Sequence, residues 1–394
     1  MRFTSFRARF IVLSIIVCIS GFSQGMLLPL ISFIFESRGI SATLSGFHTA
    51  GLYLGVFISS FLIEAPMRKY GYQKLIVFGG LFVGVSLFLF PILDSIMFWF
   101  ILRVIIGIAD NVLHMSTQTW LTSTTPQHKI GKVIAVYGLF FSLGFMIGPK
   151  VADLVVYGTH VPFVLSSVIT MLAWPLIFTL KGASEAKPDS DNVPITLLST
   201  LTNFKTVIVY GWAALMFPML YGFYESSLNS NFPVFAMRNG FEISQVTWIL
   251  PMFNLGAILF QLPIGALGDR MGRGKLLTWL VSIGSIGFLL MELNKESFFM
   301  LTALFLMTGV ACGSMYSLGL GYLTDVIPRT HIAAGNLLIS IIFSIGSILG
   351  PVFGGSLISL SNGTLYFSFF TAVMVLVLIG NLIFRYQLKN RTNF

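Results

Sequence analysis

Charge is what this sequence has least of. Only 9% of the 394 residues are Asp, Glu, Lys or Arg, against about 25% in a soluble domain. A soluble fold of this length could not hide the 56% of residues that are hydrophobic, and the mean hydropathy of +0.89 excludes a water-exposed enzyme or binding module. Cysteine is nearly absent. Cys18 and Cys312 fall inside apolar runs about 300 residues apart, so no disulfide and no metal site is expected. The five histidines at 48, 114, 128, 160 and 331 are scattered over different runs and connections. No Walker A motif, no Ser/His/Asp order and no cofactor-binding pattern stands out, so neither an enzyme nor an ATP-driven pump is indicated. No polar stretch is long enough to form an appended soluble domain.

What is present is a series of long apolar runs. A span needs about 20 apolar residues, and twelve are read: 10–35, 43–65, 75–93, 96–123, 130–156, 160–180, 206–236, 243–267, 276–293, 297–326, 331–359 and 364–386. The first follows Arg2, Arg7 and Arg9 and is too long for a cleaved signal sequence. The longest polar interruption, 181–205, is read as a linker between a first bundle, 1–180, and a second, 206–394. The net charge of +9 reflects orientation rather than a nucleic-acid partner: eighteen of the 23 basic residues fall in connections on one side and three on the other. That bias places both termini in the cytoplasm. The expected class is an all-α membrane protein with twelve transmembrane helices in two pseudo-symmetric six-helix bundles.

The halves echo each other. Gly144-x-x-x-Gly148-Pro149 returns as Gly346-x-x-x-Gly350-Pro351, Trp120-Leu121-Thr122 as Tyr322-Leu323-Thr324, and Gly107 as Gly309, all at an offset of 202. The stretch 64–74 returns as 265–275 at 201. A common offset near half the chain marks an internal repeat, as in transporters with a substrate path between two helical bundles.

Four places carry candidate chemistry. The fourth span aligns Arg103, Gly107, Asp110, His114 and Gln118 at steps of four, three, four and four, one face of a helix. Ionisable groups inside a membrane usually mark a pathway. Burial disfavours a charged carboxyl and a nearby cation favours it, so Asp110 suits a site loaded and unloaded with protons; a static Arg103–Asp110 or Asp110–His114 pair is the plainer reading. The seventh span offers Tyr221, Glu225 and Asn229 at a spacing of four, with Pro218 and Pro233 as expected points of helix breakage. An acid among aromatic rings suits a cationic substrate, a proton, or a neutral hydrogen-bonded role. The two Gly-x-x-x-Gly-Pro stretches permit close helix contact. The stretch Gly265 to Lys275, holding Gly268, Asp269, Arg270, Gly272, Arg273 and Gly274, reads as a tight turn between two spans, and Asp325 as one end of a helix-end salt link.

The order Gly265-x-x-x-Asp269-Arg270-x-Gly272-Arg273 resembles the cytoplasmic loop signature of the major facilitator superfamily, here in its second-half copy. Arg103 with Gly107 resembles the superfamily's fourth-helix motif, and Gly144 to Pro149 part of the motif of its drug/proton antiporter branches. The resemblance implies alternating access without a cofactor, and a gating role for Asp269. The first-half loop departs from the pattern: Arg68 stands where the acid is expected and Glu64 where the first glycine is, and Lys150 to Asp153 replaces the antiporter motif's last glycines. The resulting expectation is a monomeric transporter of the bacterial inner membrane that expels small hydrophobic or cationic molecules against protons. Proton-coupled uptake of a sugar, nucleoside or carboxylate is the alternative, and a non-transporting sensor a third reading.

Overall fold

The structure is a computed structural model describing residues 6–126, 130–180, 197–361 and 363–391. Among the described residues every element is a helix. In chain order they are α1 (Phe6–Ser37), α2 (Ala42–Leu62), α3 (Glu64–Tyr70), α4 (Tyr72–Leu89), α5 (Ile96–Ser123), α6 (Ile130–Ala152), α7 (His160–Ala173), α8 (Leu197–Arg238), α9 (Ile243–Met271), α10 (Arg273–Leu293), α11 (Phe298–Cys312), α12 (Met315–Val326), α13 (Ile332–Ser361) and α14 (Tyr366–Arg391). Short 3₁₀ stretches extend α6 and α7. Among the described residues, eleven helices or helix pairs are long and apolar enough to cross a membrane, and α2 with α3, bent by 61° where they join, makes a twelfth.

The chain divides into two compact units, residues 1–40 with 47–192 and residues 41–46 with 193–394. Residues 181–196 of the expected linker lie outside the described residues, and its remainder is the start of α8. In the first unit α1 packs on α6, and α4 on α5 and α7; in the second α8 packs on α13, α9 on α11, and α10 on α14.

Glycine sets these crossings. A Cβ at Gly21 would collide with the Phe141 carbonyl, one at Gly144 with that of Cys18, one at Gly55 with that of Val104 and one at Gly107 with that of Leu52. The second unit repeats all four collisions: Gly222 on Phe343, Gly346 on Met219, Gly256 on Leu306 and Gly309 on Phe253. Every number is raised by 201 or 202. Small residues let backbones approach where lipid supplies no hydrophobic drive between helices. The caps repeat too. Ser95 accepts from the Phe98 amide at the start of α5, and Ser297 from the Met300 amide at the start of α11, each satisfying an otherwise unpartnered backbone donor.

Three expectations change. The 265–275 stretch is not a loop. α9 runs through Met271 and α10 begins at Arg273, so Gly272 alone makes the turn, at φ 87°, a conformation side chains resist. Gly71 plays the same part before α4, at φ 80°. A Cβ at Gly265 would meet nothing, so no close approach requires that glycine. Neither Pro218 nor Pro233 breaks α8; its irregular residue is Gly211, at φ −130° and ψ 18°. A membrane helix tolerates proline where neighbouring groups take over the freed carbonyl. The tenth expected span is two helices, parted at Gly313 and Ser314. There Gly313 presses on Ala257 of α9.

Candidate functional site

The polar face of α5 points into the first unit, but its members separate. Asp110 is buried. Ser20 Oγ donates to Asp110 Oδ1 at 2.5 Å, and Gln24 Nε2 donates to Oδ2. Both donors lie on α1. Arg103 is fully buried; its Nη1 donates to Thr49 Oγ1 at 2.9 Å and its Nη2 to the Leu27 carbonyl at 3.2 Å. His114 turns to α6, where the Tyr137 hydroxyl donates to the His114 carbonyl at 3.2 Å and lies 3.4 Å from Nδ1. Gln118 is half-buried near the end of the stripe. The static pairs considered for this helix are therefore not formed: Arg103 and His114 have their own partners, and Asp110 has no basic partner among the described residues. An ionised carboxylate buried without a cation is costly, so its two donors or a proton must compensate it. Sequence reasoning missed Ser20 and Gln24. The glutamine inside the first apolar run, Gln24, is the signal by which they could have been found.

In the second unit Glu225 sits on α8, half-buried. The ring of Tyr221, one turn earlier, lies 5.4 Å from Tyr224, 6.1 Å from Tyr316 and 6.1 Å from Phe343. The Tyr224 hydroxyl is used by the Cys312 carbonyl at 2.5 Å. Asn229 donates to the backbone carbonyl of Glu225 at 2.8 Å, so it serves the helix and not the carboxylate. No ion pair holds Glu225 among the described residues. By the repeat, Glu225 stands where Gln24 does, Tyr221 where Ser20 does, and Cys312 where Asp110 does. The two membrane acids occupy different places in the repeat.

Arg273 joins three helix ends. Its Nη2 meets Asp269 Oδ1 at 2.9 Å on α9; its Nη1 meets Asp325 Oδ1 at 2.8 Å and the Gly321 carbonyl at 3.1 Å on α12. Asp325, read as a helix-end link, is thus tied to the same arginine as Asp269. Arg270 is exposed. The first unit instead pairs Glu64 with Arg68 at 2.6 Å within α3, so its departing residues form a local pair of their own. The Gly-Pro motifs lie at the crossings: Gly148 in α6 packs on the Met26 amide and Gly350 in α13 on the Phe223 carbonyl. Pro149 and Pro351 follow within those helices, and the Pro351 carbonyl accepts from Asn231 at 2.9 Å.

The structure thus has two repeated helical units, each with an acid inside a membrane-length helix. The sequence profile of the Major Facilitator Superfamily matches residues 13–243 and 215–393. The chain belongs to the Major Facilitator Superfamily. Among relatives, the MFS-type transporter YfkF of Bacillus subtilis (strain 168) is 44% identical over 353 residues, covering 89% of this chain and 88% of that protein. Multidrug resistance protein 1 of the same organism is 25% identical over 367 residues, covering 90% and 91%. Among solved structures, nucleoside transporter NupG superposes with a TM-score of 0.80 at 14% identity, covering 95% of this chain and 98% of that one, which supports the fold alone. The superfamily assignment makes this a multi-pass membrane transporter of small molecules.

Proposed function

We propose that the protein is a proton-coupled exporter of small hydrophobic or cationic molecules, working by alternating access in a bacterial inner membrane, as a monomer with both termini in the cytoplasm. The observation that carries this reading is the pair of membrane carboxyl groups, Asp110 and Glu225, neither held by a basic side chain among the described residues. Each therefore has a use for a mobile positive charge. Asp110 is fitted to carry the proton: Ser20 and Gln24 donate to it and so support the charged form once the proton has left. Glu225, beside Tyr221 and the rings of Tyr224, Tyr316 and Phe343, is fitted to attract an organic cation through charge and ring faces. Arg103, His114, Gln118 and Asn229 shape the surroundings of the two acids. The Asp269–Arg273–Asp325 link braces the ends of α9, α10 and α12 when the inward side is closed. Likeness to a multidrug resistance protein at 25% identity favours export of such molecules.

The test uses everted membrane vesicles, acidified inside by respiration, with wild type and empty-vector controls. Addition of tetraphenylphosphonium or ethidium is expected to release protons from vesicles carrying the protein. Proton movement with nucleosides, sugars or carboxylates alone, in the direction of uptake, would replace export with nutrient import.

A further inference from the structure

The two helices that bring Asp110 and its donors together, α5 and α1, also meet on either side of that contact. Near the start of α1 the Arg9 guanidinium lies over the Trp120 ring of α5, 5.3 Å from its centroid. Trp120 is 1% exposed and stacks on Tyr72 of α4, with centroids 6.2 Å apart and planes at 14°. Both rings belong to the buried core of the first unit, so the face offered to Arg9 is fixed by packing. An indole face attracts a cation. No carboxylate pairs with Arg9 among the described residues. On the other side of the acid, Arg103 of α5 donates to the Leu27 carbonyl of α1 at 3.2 Å.

The three contacts share one register. Arg9 lies eleven residues before Ser20, and Trp120 ten after Asp110; Leu27 lies seven after Ser20, and Arg103 seven before Asp110. At a helical rise of about 1.5 Å per residue, the outer contacts stand about 15 Å from the acid on one side and about 10 Å on the other, alike on both helices. α1 and α5 therefore run antiparallel, with Asp110 between two points held by arginine, one from each helix. The second unit keeps neither arginine. Arg9 and Trp120 return as Tyr210 and Tyr322, and Leu27 and Arg103 as Leu228 and Phe305. Among the described residues no cation lies over Tyr322. α8 departs from helical geometry at Gly211, beside Tyr210, where α1 is unbroken.

We propose that Arg9 is a positioning residue: seated on Trp120, it fixes how far α1 slides along α5, and so brings Ser20 and Gln24 to Asp110. A slide by one residue's rise, about 1.5 Å, is enough to carry a donor out of hydrogen-bonding range. The register matters because Asp110 has no basic partner among the described residues, so the donors on α1 are what support its charged form. Arg7, two residues earlier, is exposed and lies over no ring among the described residues. It shares the charge and the helix end but not the seat. The consequence for transport rests on the proposed coupling role of Asp110; the register itself does not.

The test reads the infrared band of the Asp110 side chain, protonated or ionised, on the purified full-length protein. The band is assigned by its loss in Asp110→Asn. Two variants remove the cation from a half-buried helix end, Arg9→Gln and Arg9→Met. Each is expected to shift the band, in the direction that Gln24→Leu shifts it by removing a donor outright. Arg9→Lys, which keeps a cation for the ring, is expected to restore the wild-type band, and Arg7→Gln to leave it in place. A wild-type band in folded Arg9→Gln or Arg9→Met, or an equal shift in Arg7→Gln, would overturn the positioning role. Proton release in everted vesicles separates this from the reading of Asp110. If Arg9→Gln shifts the band while Asp110→Asn still couples, the positioning role stands and the coupling role of Asp110 falls. If Asp110→Asn uncouples while both Arg9 variants keep the wild-type band, the positioning role falls alone.

Discussion

In the first unit the acid lies on α5 and its donors on α1; in the second the acid lies on α8, the repeat of α1, and the α5 counterpart is Cys312. Asp110 is engaged by a hydroxyl and an amide, while Glu225 stands beside the rings of Tyr221 and Tyr224, and the Tyr224 hydroxyl serves the Cys312 carbonyl. Four helix crossings, by contrast, repeat residue for residue. The difference separates two kinds of constraint. At the four repeated crossings backbone approach admits only glycine in both units. The polar positions beside the crossings are free to diverge, and they have diverged: an acid held by a hydroxyl and an amide in one unit, an acid beside tyrosine rings in the other.

The shared crossings are the part most easily broken. Gly148→Leu and Gly350→Leu each force a side chain into backbone. Each is expected to destabilise by at least about 3 kcal/mol, the upper range for overpacking, seen as lost folded yield and a lower thermal midpoint in detergent. Damage in one unit only would show that the repeat is not equally strict.

Next come the positive-φ turns. Gly71→Ala and Gly272→Ala should each cost about 1–3 kcal/mol, read as similar drops in thermal midpoint. A substitution that cost nothing would mean the turn can relax there. The comparison of acids sharpens with Glu225→Gln. Binding of tetraphenylphosphonium is expected to weaken about tenfold, or about 1.4 kcal/mol, with a neutral ligand of similar size unaffected. Equal loss for both would make Glu225 a packing residue. The smallest effect on stability is expected from Arg273→Ala. Its partners are largely exposed, and such pairs contribute about 0–1 kcal/mol. The thermal midpoint should barely move while the initial transport rate falls; an unchanged rate would remove the bracing role.

The span pattern, the superfamily and the repeat were all legible before any coordinates, because apolar length and a fixed offset are one-dimensional properties. The offset of Gly144 and Gly346 even marked a crossing. Helix interruptions were less legible. Pro218 and Pro233 are strong breakers in water but sit inside α8, whereas the irregular residue, Gly211, carries no such signal. The Gly272 turn was blurred because its neighbours are charged, and charge in a membrane sequence reads as loop even when the backbone stays helical. The face of α5 was found from its spacing alone, but spacing within one helix says nothing of which other helix it meets. For that reason Asp110 looked like a partner of Arg103, while its actual donors, Ser20 and Gln24, lie about 90 residues away.

The central claim is that the two acids do different work. The most direct test is to measure tetraphenylphosphonium binding and the protons released with it, side by side, on purified wild type, Asp110→Asn and Glu225→Gln. The account predicts that Asp110→Asn still binds the cation but releases no protons, and that Glu225→Gln binds it about tenfold more weakly. Proton release from Asp110→Asn at the wild-type level would contradict it.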